Sequence, residues 1–530
     1  MSAAPRTHRR LGPAAASPQS VAEIVSLLPA DFRRRDLLIE NLHVLQDRFG
    51  GLHRRHLAAL AEEMRLAPAE VQEVASFYAH FRLLGDDETA PKAVVRRCTG
   101  PACAMRPLDM NGLPEGVAVE DAPCMGLCDH APAALAGKVP VRAADGGKVA
   151  AALASAQVTA ASPAYDYPVL ARCLSGELPR DEALAELDKA GLRGMGGAGF
   201  PTARKWRSVA AQAAPRLVVV NADEGEPGTF KDRWFLEHHA ARVLEGTLVA
   251  AWAVEADEAY IYLRDEYADL HKALGEAIRR LPGGVTIHLR RGAGAYVCGE
   301  ESALIESLEG KRGYPRQRPP YVAEVGLFGR PTLVNNVETL YWVSRILAEG
   351  AELFARAGRN GHQGFRTYSV SGRVSEPGVK IAPNGITITE LIEEFCGGME
   401  AGHRLSAYLP GGASGGFLPA HLTPPLAFGA IEEHGGFIGS AAVVVFSQAD
   451  DLRAAALDLA RFFAHESCGQ CTPCRVGTAK SVDLLARPDW DRDLLHDLAS
   501  VMRDASICGL GQAAPNVWQS LLRHFPEVAR

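Results

Sequence analysis

The sequence predicts a multidomain α/β protein, and three observations carry that expectation. At about one domain per 150 residues, a 530-residue chain holds three or four domains. Between 169 and 362, short apolar runs alternate with segments of helical period, the pattern of a mainly parallel sheet covered by helices. On either side the texture changes, to a helical and cysteine-bearing unit in front and to α+β and then helical segments behind. The net charge of -7 gives no support for nucleic-acid binding. No apolar run approaches the roughly 18 residues that a membrane-spanning helix needs.

The elements follow in order. Residues 1–20 have arginines and no acid, which reads as a disordered tail and only faintly resembles a transit peptide. With no apolar signal-peptide core, the expected location is the reducing cytoplasm. There, eleven cysteines point to metal or catalysis rather than to disulfides. Residues 21–88 repeat apolar side chains at helical spacing, and "RRDLLIENLHVLQDRFG" ends on Gly50 and Gly51, suited to a C-cap. In 89–158, "KAVVRRC" and "GVAVEDAPC" read as strands. This unit holds Cys98 and Cys103 as Cys-x4-Cys and Cys124 and Cys128 as Cys-x3-Cys. Two pairs can seat the two irons of a 2Fe–2S cluster, with zinc and buried structural thiols as the alternatives. A Pro- and Ala-rich stretch near 158–168 reads as a linker.

Within 169–362, "LVVVNADEG", "EAYIYLRDEY" and "VTIHLRRGAGAY" are candidate strands. "LRGMGGAGFPTARKW" has the spacing Gly194-x-Gly196-x-x-Gly199, formally a dinucleotide fingerprint. It follows a helical segment rather than a strand, which disfavours a standard Rossmann turn. The glycines still permit close backbone approach to a phosphate or flat ring, and Lys205 could supply a phosphate charge. The strand "LVVVN" ends in Asn221, Asp223, Glu224 and Glu226, where α/β sheets bind ligands. "GAGAYVCGEES" adds Tyr296, Gly299, Glu300 and Glu301, and "PTLVNNVETL" adds Asn335, Asn336 and Thr339. Singly each is a solvated turn or loop as readily as a site; on one sheet they imply a nucleotide-sized pocket.

Residues 363–447 read as a small α+β domain, with strands in "RTYSVSGRV", "HRLSAYLPGG" and "AAVVVFSQ" and a helix in "TITELIEEFCGG". Residues 448–530 are helical. "ESCGQCTPCRVGT" sets Cys468, Cys471 and Cys474 three apart, and Cys508 follows in "SICGLGQ". Three clustered thiols and one remote Cys-Gly suit a 4Fe–4S cluster better than zinc, which favours two pairs. Cys173, Cys298 and Cys396 stand alone and read as packing residues.

Together, "RGMGGAGFPTARKW", "NADEGEPGTFKD", "GAGAYVCGEES", "PTLVNNVETL" and "ESCGQCTPCR…SICGLGQ" resemble the NADH-binding flavoprotein subunit of respiratory complex I. The front cysteine unit resembles the thioredoxin-like 2Fe–2S subunit of the same systems. The fused layout is similar to the β subunits of molybdenum- or tungsten-dependent, NAD-linked formate dehydrogenases, with the NAD-linked hydrogenase diaphorases as the main rival. The resemblance implies a thioredoxin-like front domain and a ubiquitin-like α+β domain. It implies FMN held by Gly194, Gly196, Lys205, Asn221, Asp223, Glu224, Tyr296, Gly299, Glu300, Asn335, Asn336 and Thr339. It implies NAD stacked on the flavin over Phe200, with Glu226, Glu301, Arg318 and Tyr321 alongside. Arg318 and Tyr321 depart from the residues common in complex I types, and Ser208 stands where some relatives carry an aromatic. It further implies one 2Fe–2S and one 4Fe–4S cluster on the two cysteine sets. The implied partner is a catalytic α subunit carrying a molybdopterin and further iron–sulfur clusters. The flavin carries the chemistry, so no protein catalytic residue is expected.

Overall fold

The computed structural model describes residues 16–106, 108–155 and 165–528. Most of the expected tail and linker therefore lies outside the described residues. The tail boundary moves at its C-terminal end, because a helix spans Pro18–Leu27. Ser17 caps it by accepting from the Ser20 amide at 3.1 Å, and Pro18 sits at its first position, where a missing N–H costs nothing. Helix Leu38–Phe49 ends at Gly50 with φ 71°, as its sequence predicts. A two-residue parallel pairing, Leu52–His53 with Leu83–Leu84, joins this region. It is too short to leave a period in the sequence.

The front cysteine unit is a four-stranded sheet in the order Val117–Ala122, Ala93–Cys98, Ala134–Ala136, Val139–Val141. The first pair is parallel and the others antiparallel. Cys98 closes a strand, and Cys103 rides on the short helix Pro101–Ala104.

The central sheet runs Thr332–Asn336, Arg216–Ala222, Ala256–Leu263, Thr286–Arg291, all parallel. Its strands read as continuous apolar runs because both faces are covered. Val218 and Val220 join the core built with helices Lys231–Val254 and Val337–Glu349. Leu217 and Val219 point the other way, into a core shared with Leu38, Leu42, Phe77 and Tyr78 of the N-terminal helices. The front helices thus form the second layer of the central sheet. Tyr78 Oη donates to Ser307 Oγ at 2.8 Å, and the His43 ring lies 2.8 Å from the Gly292 carbonyl, across the same seam.

The α+β domain is a five-stranded sheet in the order Gly378–Pro383, Phe365–Gly372, Ala442–Ser447, Leu405–Leu409, Leu418–Pro419. Its helix starts with a capping box between Thr387 and Glu390. The C-terminal region is helical: Leu452–Glu466, Thr472–Leu485, Arg492–Ala505, Gly509–Ala513 and Asn516–His524. No helix among the described residues is long and apolar enough to cross a membrane.

Candidate functional site

The motifs converge at the C-terminal ends of the central strands. Asn221 and Asn336 are register partners on neighbouring strands. The glycine-rich loop lies between helices Arg180–Ala190 and Thr202–Ala210, so it is not a strand-to-helix fingerprint turn. It is pinned to the sheet instead. The Met195 amide donates to Thr339 Oγ1 at 2.9 Å, and a Cβ on Gly196 would sit 3.0 Å from that of Asn336. Gly194 has nothing closer than 3.6 Å to a Cβ position, and Gly197 nothing closer than 3.9 Å. The loop therefore offers bare backbone to whatever lies over it.

Asn221 Nδ2 donates to the Gly299 carbonyl at 2.8 Å, and its Oδ1 accepts from the Asp223 amide at 3.1 Å. Asn336 Oδ1 caps the next helix through the Glu338 amide, and its Nδ2 reaches Asp232 Oδ2 at 2.5 Å. Asn335, one residue earlier on the strand, faces the opposite side and accepts from Trp206 Nε1 at 2.8 Å. Lys205 Nζ lies 3.0 Å from Glu301 Oε2. Arg318 binds Glu300 and stands 3.5 Å from Glu301, so these four side chains form one charged chain. Glu300 also caps its own helix by accepting from the Ser302 and Ala303 amides at 3.0 and 2.9 Å. Phe200 and Tyr321 are 47% and 55% exposed, which leaves large apolar rings open to a ligand.

Two neighbouring carboxylates divide sharply. Asp223 Oδ2 is sealed from solvent and has no hydrogen-bond partner among the described residues. Burial pushes its carboxyl well above the ordinary range, against the pull of Arg264. Glu224 is fully engaged. It accepts from the Asp232 and Arg233 amides at 2.8 and 3.1 Å and from Tyr267 Oη at 2.8 Å. This corrects the expectation for Glu224: its carboxylate is taken up in capping helix Lys231–Val254, whose N-cap residue Phe230 has no side-chain acceptor of its own. Glu226 accepts from the Ser414 amide and hydroxyl at 2.8 and 2.7 Å and from Tyr296 Oη. Tyr296 is held in turn by Glu466 Oε2, which accepts from its amide at 2.9 Å. Ser414 and Glu466 were not expected from the sequence. Ser414 sits in a glycine-rich turn of another domain, and Glu466 is overshadowed by the cysteines that follow it.

Cys98, Cys103, Cys124 and Cys128 are all buried, and the Cys124 and Cys128 sulfurs lie 3.1 Å apart. A Cβ on Gly100 would be 3.3 Å from that of Cys124 and 3.5 Å from Cys98 Sγ. In the C-terminal set, Cys468, Cys471 and Cys508 pack on the same core as buried Cys474. Burial, reinforced by the neighbouring sulfurs, pushes Cys474 up to about 12; partial burial pushes the half-buried Cys508 up to about 12 as well. Thiolates there need a metal centre to hold their charge. None of the eleven cysteines is in a disulfide. Among the described residues no three His, Cys, Asp or Glu side chains converge as the ligands of a single ion do. The ligands of a cluster are shared among two or more irons, so three need not converge on one point.

The sequence matches four families in the expected order. These are the thioredoxin-like [2Fe-2S] ferredoxin over residues 21–110, the Nuo51 FMN-binding domain over 187–345, the SLBB domain over 367–418, and the NADH-ubiquinone oxidoreductase-F iron-sulfur binding region over 454–530. The chain is 40% identical over 383 residues to the F subunit of the NADH-quinone oxidoreductase of Aquifex aeolicus, covering 68% of this chain and 88% of that one. The chain belongs to the family of NADH-quinone oxidoreductase F subunits. One of the F subunits of Rhizobium meliloti is 41% identical over 378 residues, with 67% and 87% covered. A chain of the NAD+-reducing [NiFe]-hydrogenase matches over 95% of this chain and 94% of its own, at 34% identity and a TM-score of 0.81. This F-type chain therefore carries FMN, 4Fe–4S and 2Fe–2S domains on one polypeptide and is an NAD(H)-linked flavin and iron–sulfur oxidoreductase subunit. The residues fit the flavin: an orphaned carboxyl oxygen at Asp223, amide donors, an ammonium and a bare glycine cradle.

Proposed function

We propose that this chain is the diaphorase subunit of an NAD-linked formate dehydrogenase. In this role it passes electrons from a molybdopterin-bearing catalytic α subunit to NAD+. The observation that carries the diaphorase reading is the convergence of the glycine-rich loop, Asn221, Asp223, Tyr296 and Asn336 at one end of the sheet, with Tyr296 tied to Glu466, two residues before Cys468. The formate reading is supported by the fused front and flavoprotein motifs. A hydrogenase partner is the second reading, favoured by the whole-length likeness to the NAD+-reducing [NiFe]-hydrogenase chain. Both readings assign the protein to the cytoplasm.

A bound flavin supplies the step between hydride and single-electron chemistry. This chain's residues hold and orient. Gly194, Gly196 and Gly299 let the backbone approach the ring system. Lys205, Asn221, Asn336 and Thr339 offer charge and donors, and Asp223 presents its free carboxyl oxygen. Glu226 and Glu301 are assigned to the nicotinamide nucleotide, with Phe200, Arg318 and Tyr321 at the open edge. Cys468, Cys471, Cys474 and Cys508 hold the 4Fe–4S cluster, and Cys98, Cys103, Cys124 and Cys128 the 2Fe–2S cluster.

Two measurements test this. Purified anaerobically, the chain should contain about one FMN and two clusters, seen by iron analysis and EPR of the reduced protein; zinc without iron overturns the reading. Affinity capture from the native host should bring down a molybdopterin protein and NAD+-reducing activity with formate. Recovery of a nickel-containing partner and activity with hydrogen selects the second reading.

A further inference from the structure

The loop of the second front cysteine pair is held in large part from the flavin domain, with Val379 of the α+β domain packed on the same cluster. Arg264, at the end of strand Ala256–Leu263 and only 4% exposed, donates from Nη2 to the Cys124 carbonyl at 2.9 Å. Its Nη1 donates to the Glu224 carbonyl, in the segment that carries the flavin-site residues. Glu266 neutralises it, with Oε2 3.0 Å from Nε and Oε1 2.8 Å from Nη2. The next residues close the clamp. Gly126 lies so near Tyr267 that a Cβ would come 2.3 Å from its hydroxyl, and Tyr267 donates to Glu224. Arg233, whose amide Glu224 caps, binds Asp129 through both carboxylate oxygens at 2.9 and 3.0 Å. Phe230 packs against Cys124 and Cys128.

One hub, Glu224, thus joins three of these contacts to the cysteine loop. Its carbonyl takes Arg264, and its carboxylate takes Tyr267 and the Arg233 amide. A surface salt bridge would not need such an arrangement. A buried guanidinium aimed at a ligand's own peptide carbonyl does have an electrostatic consequence, because charges in a dry interior are weakly screened.

We propose that Arg264, positioned by Glu224 and Glu266, is a positioning residue that sets the reduction potential of the 2Fe–2S cluster and ties that cluster's loop to the flavin strand. This rests on the 2Fe–2S reading of the four front cysteines. Each reduction adds one electron, and so one negative charge, to the cluster. The Arg264 charge favours that added charge, and Glu266 opposes it. The pair therefore acts in opposite senses, which a purely structural role would not produce.

The test is an EPR-monitored redox titration of the full-length chain with dithionite, with the 4Fe–4S signal as internal reference. Arg264→Gln should lower the 2Fe–2S midpoint so that the reduced-to-oxidised ratio at a fixed potential falls about tenfold, or about 59 mV for one electron. Arg264→Lys, which keeps the charge, should restore most of it. Glu266→Gln should move the midpoint upward and keep the fold, since it preserves shape and one acceptor. The 4Fe–4S midpoint should stay in place throughout. If Arg264→Gln does not fold, Glu266→Gln alone decides. An unmoved midpoint, or both variants moving it the same way, overturns the proposal while leaving the cofactor reading intact. A wild-type chain with no 2Fe–2S signal overturns both.

Discussion

The front cysteines are all buried, whereas in the C-terminal set only Cys474 is, and Cys468, Cys471 and Cys508 are part-exposed. The front set closes over its site with help from another domain, through Arg264, Tyr267 and Arg233. The C-terminal set is built within its own helices. Cys471 stands at the start of Thr472–Leu485, where the helix dipole favours negative charge. One site is thus tied inward to the central sheet, and the other lies nearer the surface. The flavin motifs lie between them, touching the second through Glu466 and Tyr296.

The largest effects should come from breaking either cysteine set. Cys474→Ala should remove the 4Fe–4S signal and abolish NAD+ reduction driven by the partner's substrate. Reduction of a dye by NADH at the flavin should persist. Flavin content and a melting curve establish that the variant is folded, since metal ligation contributes to folding. A folded, flavin-loaded variant that still couples at the normal rate would show that electrons bypass this cluster.

Next in size is the nucleotide side between the two sets. Glu226→Ala should raise the NADH concentration needed for half-maximal dye reduction by about tenfold to a hundredfold, from lost charge-assisted hydrogen bonds. Flavin content should be unchanged. Loss of flavin with a normal NADH dependence would reverse the assignment. Ser414→Ala removes one of the donors that orient Glu226, and should shift the same NADH dependence in the same direction by only a fewfold.

A smaller effect is expected in the flavin-free protein. The Asp223 carboxyl is raised in the folded state, so the folded chain binds more protons than the unfolded one above the ordinary value of 3.8. Its contribution to stability therefore falls as pH rises through the window between that value and the raised one. Asp223→Asn should stabilise the flavin-free chain at pH 8 by about 1–3 kcal/mol and change little at low pH, read from melting curves across pH. Equal stability at pH 8 would mean that the orphaned oxygen is solvated.

The sequence by itself determined the domain order, the central strands and the cysteine sets, because each is a local pattern. Apolar runs ending in polar residues, helical period, and thiols three to five positions apart survive without tertiary context. It also carried the glycine loop's departure from a Rossmann turn, since the helix before it is visible in "DEALAELDKAG". What lay beyond reach were the choices among adjacent polar residues. Asp223 and Glu224 look equivalent in the chain, and Asn335 and Asn336 do too. Only the tertiary structure turned Glu224 to a helix start and Asn335 to Trp206, leaving Asp223 unpaired. It alone brought Arg264 to the Cys124 carbonyl and Ser414 to Glu226, contacts that span 140 and 188 residues. A hydrogen bond is fixed by where its partner lies in space, and no local period encodes a partner that distant.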